Sequence, residues 1–154
     1  MQFVSPETSQ GTPEVIPNNS FWPEVDLGQY AKVMRSDGTV TPERLKQVVL
    51  SAMSEVNTEL YAWRERQELL GYNHLDEVPA SKLGNQSQRV HHYLDAIWCW
   101  ARAVLYERYA DYDATASWNK RGTELEKVGD DLWRDARWAI SRVQDLPHCV
   151  VELI

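Results

Sequence analysis

Hydrophobic residues recur every three to four positions along three stretches of the chain, a spacing that predicts amphipathic helices. The first helix is expected to begin after Thr41, whose hydroxyl suits a cap, with Pro42 at the first helical position. We expect it to run without interruption to Leu70, because Gly71 suits the left-handed position that follows a helix end. Its expected core face consists of Leu45, Val49, Ala52, Val56, Leu60, Trp63 and Leu70.

The second helix is predicted from Gln88 to Ala110, with Ser87 as its cap. Apolar residues cover most of its circumference, so it is expected to lie in the middle of the packing. The third helix has its clearest period from Asp130 onward and is expected to end before Pro147. Its expected core face consists of Leu132, Ala136, Ala139, Ile140 and Val143, extended at either end by Leu125, Val128 and Leu146.

The two ends of the chain differ in composition from the middle. Residues 1–20 are rich in Ser, Thr, Asn, Gly and Pro, which predicts an extended arm, with Phe21 and Trp22 as its anchor. A short helix is predicted from Asp26 to about Met34. Residues 147–154 are apolar and β-branched, and because a lone strand is unstable, they either pack on the bundle or pair with another chain.

The predicted fold is therefore all-α: a small bundle of three long helices plus a short N-terminal helix, with an extended N-terminal arm and an extended C-terminal tail. We divide the chain into an arm (1–20), a helical domain (21–146) and a tail (147–154). Residues 71–86 are predicted to be a loop, which is long for a helix connection and therefore suggests a role in function or assembly.

One tryptophan of the third helix does not share its core face. On a helical wheel, Trp138 projects to the opposite side, together with Arg134 and Arg142. Two interpretations remain open. In the first, Trp138 has only a structural role, as a partly exposed surface residue or as one that the N-terminal segment covers. In the second, Trp138 contacts another subunit or a partner protein. Trp and Arg are enriched at interface hot spots, which favours the contact as the sharper hypothesis. Leu50 and Tyr61, on the back of the first helix, form a second candidate contact.

Composition excludes several classes of function. The formal net charge of −7 leaves no basic patch for sequence-independent nucleic-acid binding, and it disfavours anionic membranes. No signal peptide and no membrane span are expected. The two cysteines, Cys99 and Cys149, lie far apart, which favours a reducing cytoplasm over a disulfide scaffold.

The sequence contains no motif of a known catalytic class, so we expect neither an enzyme nor a cofactor or metal site. Asp131 and Asp135 form a carboxylate pair on one helix, as in all-helical magnesium-dependent nucleotide hydrolases. Arg134 and Arg137 lie beside these acids, and salt bridges are the favoured interpretation. His91 and Asp95 have the spacing of a helical metal pair, but no further ligand lies in register.

The sequence resembles the head completion protein family (GPL) of temperate contractile-tailed bacteriophages. The resemblance covers nearly the whole chain from Phe21, and the order and spacing of several blocks carry it. These blocks are Phe21–Asp26, Thr39–Leu45 with Asn57–Tyr61 and Arg64, Leu105–Tyr109, and Leu132–Ile140 continuing through Gln144-Asp145 and Pro147 to Cys149–Val151.

This resemblance implies a head–tail adaptor of the virion neck, assembled in the bacterial host cytoplasm. Such a protein would add as a ring beneath the portal after DNA packaging, with twelve copies to match a twelve-fold portal. It would retain the genome, let DNA pass without specific binding, and offer a docking surface to a tail or neck completion protein. Trp138, Leu50 and Tyr61 would then face neighbouring subunits.

A chain terminus, either the arm of residues 1–20 or the tail of residues 147–154, would reach the portal or the next ring. The candidate contact residues of the C-terminal tail are Cys149, Val150, Val151, Leu153 and Ile154. Two other classes of function remain as alternatives: a monomeric cytoplasmic helical protein-binding module, and a metal-dependent all-α nucleotide hydrolase.

Overall fold

The computed structural model describes residues 14–33, 40–110 and 118–147. In chain order, the elements are β1 (Val15–Ile16), β2 (Val25–Asp26), α1 (Leu27–Val33), α2 (Pro42–Glu59), α3 (Tyr61–Leu69), a 3₁₀ helix (Leu75–Glu77), β3 (Lys82–Leu83), β4 (Gln86–Ser87), α4 (Gln88–Ala110) and α5 (Trp118–Val143).

The predicted all-α bundle of three long helices and one short helix is wrong. The described residues form five α-helices and two two-stranded antiparallel sheets. One predicted helix is divided in two, and two segments that were predicted as arm and loop pair their backbones instead. Helical periodicity does not report either event, because both depend on local backbone hydrogen bonds rather than on which residues face the core.

The division of the first long helix lies at Leu60, which has φ −94° and ψ 4°. Just before it, the hydroxyl of Thr58 donates a 2.8 Å hydrogen bond to the carbonyl of Ser54. A Thr hydroxyl that bonds four residues back competes with the backbone ladder and often bends a helix. Leu60 is itself fully buried, so the core residue at the break is retained.

The loop between α3 and α4 contains the hairpin of β3 and β4. Lys82 pairs with Ser87 and Leu83 with Gln86. Gly84 and Asn85 connect the strands, both with positive φ, at 57° and 65°. Two such residues form the turn whose twist matches that of the flanking strands. In the N-terminal segment, β1 pairs with β2 in the same antiparallel manner.

The capping residues are those that the sequence predicts. Asp26 accepts from the backbone of Gly28 (2.8 Å), Thr41 from Arg44 (3.3 Å), and Ser87 from Arg89 (3.3 Å). The prediction of a central helix from Gln88 to Ala110 is confirmed, since α4 packs against α5 along its length and against α2 on another side.

Four aromatic rings bind the N-terminal segment to α3 and α4. The ring of Trp22 stacks on Tyr93, with centroids 4.7 Å apart and planes 5° apart, and lies 6.3 Å from Trp63. Phe21 meets Trp22 edge to face at 4.8 Å. Both Phe21 and Trp22 are buried, with 1% and 4% of their surface exposed. The chain entering from the arm is thus tied to the core of the helical domain.

A closed ring of hydrogen bonds lies beside these aromatic residues. Asn18 donates to the hydroxyl of Tyr93 at 2.7 Å, and that hydroxyl donates to Asn57 at 2.6 Å. The amide of Asn57 donates back to Asn18 at 3.1 Å. Each group therefore has its partner, which a polar network in a partly buried position requires. The described part of the predicted arm, residues 14–20, packs on the domain; residues 1–13 lie outside the described residues.

The guanidinium of Arg89 connects four parts of the fold. It donates to the carbonyl of Pro79 (3.0 Å), to the carbonyl of Val143 (2.6 Å) and to the carboxylate of Asp145 (2.5 Å). It also lies over the ring of Trp63, 5.6 Å from its centroid. Because Val143 ends α5, this one side chain joins the start of α4 to the end of α5, to the loop and to α3.

We predict that Trp22→Ala lowers the free energy of unfolding by about 3–5 kcal/mol, because it removes a buried aromatic ring and leaves a cavity. Trp138→Ala, which removes the same side chain from an exposed position, is the matched control. It is expected to cost less than about 1 kcal/mol. Urea unfolding followed by circular dichroism measures both, and equal losses would contradict the assignment of Trp22 to the core.

We predict that Arg89→Ala lowers the free energy of unfolding by about 1.5–3 kcal/mol, because it removes charge-assisted hydrogen bonds from a mostly buried position. Arg64→Ala is the control, because Arg64 forms a 2.8 Å ion pair with Glu68, four residues later on the same helix. Such a pair contributes only about 0.3–0.5 kcal/mol. Denaturant titration of both variants measures the free energy of unfolding. If Arg89→Ala lowers it no more than Arg64→Ala does, the connecting role of Arg89 is refuted.

Candidate protein-interaction site

Trp138 lies on the outer side of α5. Its side chain is 38% exposed, whereas the predicted core residues of this helix are all buried: Leu132, Ala136, Ala139, Ile140 and Val143. The helical wheel therefore assigned the face correctly. It was wrong for Val128 and Leu146, which are exposed, and the side chain of Leu125 lies outside the described residues.

Arg134 holds Trp138 in position on that outer side. Its guanidinium lies over the indole, 4.8 Å from the ring centroid. The same group forms ion pairs with Asp131 at 3.4 Å and with Asp135 at 3.6 Å. The prediction that an arginine satisfies these two carboxylates is confirmed. Arg134 therefore contacts the indole and both carboxylates on this side of α5.

Arg142 follows Trp138 by one helical turn and is also exposed. Its charge acts on His92 of α4. The pKa of His92 is lowered from its ordinary value of 6.5, mainly by burial and secondly by Arg142. The ring of His92 also contacts the amide of Gln88, with 3.2 Å between the two nitrogens. The α4–α5 contact therefore favours the neutral imidazole at this position.

Leu50 and Tyr61 lie on the outer side of α2 and α3, with 43% and 54% of their side chains exposed. Because α4 packs against both α2 and α5, it lies between this face and that of Trp138. A hydrogen bond to Glu65 raises the pKa of the Tyr61 hydroxyl. Tyr61 thus presents an apolar ring whose polar end is coupled to a carboxylate.

Two leucines at the end of α3 were missed in the sequence analysis. Leu69 and Leu70 are 87% and 70% exposed, so the prediction that Leu70 belongs to the core is wrong. Leu69 follows Glu65 by four residues and Arg66 by three, so it shares a helix face with both charged residues. This shared face was the signal in the sequence that Leu69 is exposed. Gly71 adopts the left-handed conformation, with φ 98°, as predicted, and ends the helix directly after these leucines.

Three polar side chains of α4, including His91 from the possible metal pair, are accounted for by their surroundings. The ring of His91 contacts the carbonyl of Leu83 through Nε2 at 2.9 Å, and Glu107 accepts from the indole nitrogen of Trp133 at 2.5 Å. Burial raises the pKa of the Cys99 thiol to about 11, which keeps it protonated near neutral pH.

Within residues 14–33, 40–110 and 118–147, no three His, Cys, Asp or Glu side chains lie together in a way that could hold a metal ion. Among the helices of that same part of the chain, none is both long enough and apolar enough to cross a membrane.

The five candidate residues of the tail, Cys149, Val150, Val151, Leu153 and Ile154, lie outside the described residues. The remaining candidates fall into three places: Trp138, Arg134 and Arg142 on α5, Leu50 and Tyr61 on α2 and α3, and Phe21 and Trp22 in the core. The structure thus separates the candidate contacts into two outer faces and one buried anchor. That either face contacts another subunit stays a prediction.

Comparison with known proteins assigns the family. The family model for the phage head completion protein (GPL) matches residues 16–154. The chain belongs to this family. It is also 40% identical over 144 residues to the head completion/stabilization protein of Escherichia phage P2, a match that covers 94% of this chain and 85% of that protein. No solved structure matches it.

Membership in this family indicates a structural role in completing the phage head, as a component of the virion. The resemblance noted from the sequence blocks is confirmed, and the match begins at Ile16, shortly before the first of these blocks, and extends to Ile154.

We predict that the stability of the protein falls between pH 7.5 and pH 5.5, partly through His92. Because its folded pKa lies below 6.5, the unfolded chain binds more protons in this range, and acidification favours unfolding. His92→Gln is expected to flatten this dependence, whereas His91→Gln is expected to retain it. The urea concentration at the unfolding midpoint is measured at several pH values in this range. If it depends on pH as steeply in His92→Gln as in the unchanged protein, the role of His92 is contradicted.

Proposed function

We propose that this chain is a head–tail adaptor that forms a ring beneath the phage portal. The ring contains twelve copies, to match a twelve-fold portal, and it is added after DNA packaging. It retains the packaged genome and provides the docking surface for a tail or neck completion protein. Family membership supports the head completion role on which this proposal is built.

The observation that carries the proposal is the exposed pair of Trp138 and Arg134. An indole that a guanidinium holds in place, 38% exposed on an otherwise charged helix face, loses burial energy unless another molecule covers it. Trp, Tyr and Arg are the residue types that most often dominate binding energy at interfaces. Trp138, Arg134 and Arg142 therefore serve as one subunit contact, and Leu50 and Tyr61 as another.

The charge of the chain agrees with a position around the DNA channel of the virion neck. A formal net charge of −7 repels the phosphate backbone, so DNA passes through the ring without specific binding. The same charge disfavours anionic membranes, and we propose no membrane partner. Assembly takes place in the bacterial host cytoplasm.

The termini supply the contacts along the axis of the neck. Phe21 and Trp22 anchor the end of the N-terminal segment in the core. We propose that Cys149, Val150, Val151, Leu153 and Ile154 of the C-terminal tail contact the portal or the tail-side protein. An apolar, β-branched segment can do so by adding a strand to a sheet edge of its partner.

The two alternative functions have less support. A monomeric protein-binding module would use the same exposed faces, but it would not bind portal protein. For a magnesium-dependent hydrolase, Asp131 and Asp135 would have to bind the metal, whereas both are paired with Arg134. Charge neutralisation by an arginine disfavours a cation at that position.

We predict that the native mass of the protein shifts to that of a twelve-membered, portal-bound ring when it is mixed with its cognate portal protein. Trp138→Ala is expected to weaken this assembly at least about tenfold while the helical content is unchanged. Gln29→Ala, an exposed change on α1, is the control. A protein that ignores the portal, alone and in the mixture, would exclude the adaptor function.

A further inference from the structure

A groove of about 340 Å³ opens between the N-terminal segment, the 3₁₀ helix and the hairpin of β3 and β4. Its floor is apolar and includes the buried residues Phe21, Trp22 and Val90. The exposed side chains of Lys82 and Gln86 lie at its edge. A concave site with an apolar floor and a few polar groups at its margin is suited to bind another molecule or a segment of chain.

The C-terminal tail begins close to this groove. Asp145, near the end of the described residues, accepts a hydrogen bond from the guanidinium of Arg89. That guanidinium lies 5.6 Å from the ring centroid of Trp63, and this ring lies 6.3 Å from that of Trp22 in the groove. Residues 148–154 lie outside the described residues. Seven residues span up to about 23 Å when extended, so the tail is long enough to cross the groove of its own chain.

The tail has two different sides when it is read as an extended strand, because successive side chains then point in opposite directions. One row consists of apolar residues only, namely Cys149, Val151 and Leu153. The other row contains the charged residue Glu152. Only the first row can face an apolar floor without burying a charge.

We propose that, in the free subunit, the tail folds back and lies in this groove, with the row of Cys149, Val151 and Leu153 toward the floor. Docking removes the apolar side chains of the tail from water, and the polar groups at the edge of the groove bind its backbone. An isolated extended segment gains neither contribution. Because the tail is attached beside the groove, its effective concentration there is high, which favours the tail of the same chain over that of a second copy.

The shape of the groove favours it over the exposed apolar residues elsewhere on the domain. Trp138, Leu50 and Tyr61 lie on the outer sides of helices, where a short segment would contact the protein along one side only. In the groove, the N-terminal segment and the hairpin border the tail on two sides. A concave site therefore removes more of the tail from water than a helix surface does.

This docking also regulates the contacts proposed for the tail. A segment that lies in the groove is not available to the portal or to the tail-side protein, so it must leave the groove before it contacts either. This second step rests on the proposed function, whereas the docking itself concerns the free subunit alone. Free subunits thereby keep an apolar, strand-forming segment covered until they assemble.

Disulfide formation with the native Cys149 tests the docking. The full chain carries Cys99→Ser, so that Cys149 is its only thiol. A second thiol is introduced by Gln86→Cys at the edge of the groove or by Ser141→Cys on α5. Ser141 is the control because it lies outside the groove and only four residues before Asp145, within reach of an undocked tail. Each chain is oxidised at low concentration, and monomers with an internal disulfide are quantified by mass.

The internal disulfide between positions 86 and 149 is expected to form at least about tenfold faster than that between positions 141 and 149. Val151→Asp should remove this preference, because it places a charge against the apolar floor. Val150→Asp, the same change in the other row, should retain it. Equal rates at positions 86 and 141 overturn the proposal, as does an equal effect of the two aspartate variants. Disulfide-linked dimers between positions 86 and 149 also overturn it, because they place the tail in the groove of a second copy.

Addition of the cognate portal protein separates the docking from the adaptor function. Bound portal is expected to slow formation of the 86–149 disulfide, because the tail leaves the groove. If the portal binds and this rate is unchanged, the regulatory step is refuted. If the portal binds a chain that shows no preference for position 86, the docking is refuted and the adaptor function stands. If the preference is present but the portal does not bind, the docking stands and the adaptor function is refuted.

Discussion

The ring of Trp22 lies between Trp63 of α3 and Tyr93 of α4, and the rest of the N-terminal half depends on this position. The indole nitrogen of Trp22 is buried without a hydrogen-bond partner among the described residues, which costs about 1–3 kcal/mol. Burial of the ring outweighs this cost, because truncating a buried Trp typically loses about 3–5 kcal/mol. The stack also brings Asn18 within reach of Tyr93 and Asn57.

Arg89 performs the corresponding role in the C-terminal half. A helix end leaves carbonyl groups without partners, and Arg89 satisfies that of Val143. It also binds Asp145, which has a positive φ of 56° directly after α5. Because Arg89 lies over Trp63 as well, the aromatic cluster and the end of α5 share one connection. The core is therefore a continuous set of contacts from the N-terminal segment to the last helix.

These core contacts do not involve the exposed residues Trp138, Leu50 and Tyr61, which lie on the outer sides of the helices. Trp138 is exposed on α5, and Leu50 and Tyr61 are exposed on α2 and α3, the helices on which α4 packs or which lead from them. A subunit of a closed ring needs two different, mutually complementary surfaces. Because α4 packs against both α2 and α5, the exposed residues of these helices lie on two different parts of the domain.

The sequence by itself determined the features that depend on groups a few residues apart. The bounds of α4, the caps at Asp26, Thr41 and Ser87, the helix end at Gly71 and the buried centre of α5 follow from local hydrogen bonds and from the helical period. The exposed positions of Trp138, Leu50 and Tyr61 were predictable for the same reason. The matching blocks of residues also indicated the family.

Only the tertiary structure decided the rest. The contacts of Asn18 with Tyr93 and of Arg89 with Val143 join residues 75 and 54 positions apart, and no periodic pattern encodes such a pairing. The exposure of Leu70 was decided at the same level, because an apolar residue of a helix is buried only where another element covers it. The period of a helix specifies which residues share a face, whereas the neighbouring elements determine whether that face is buried.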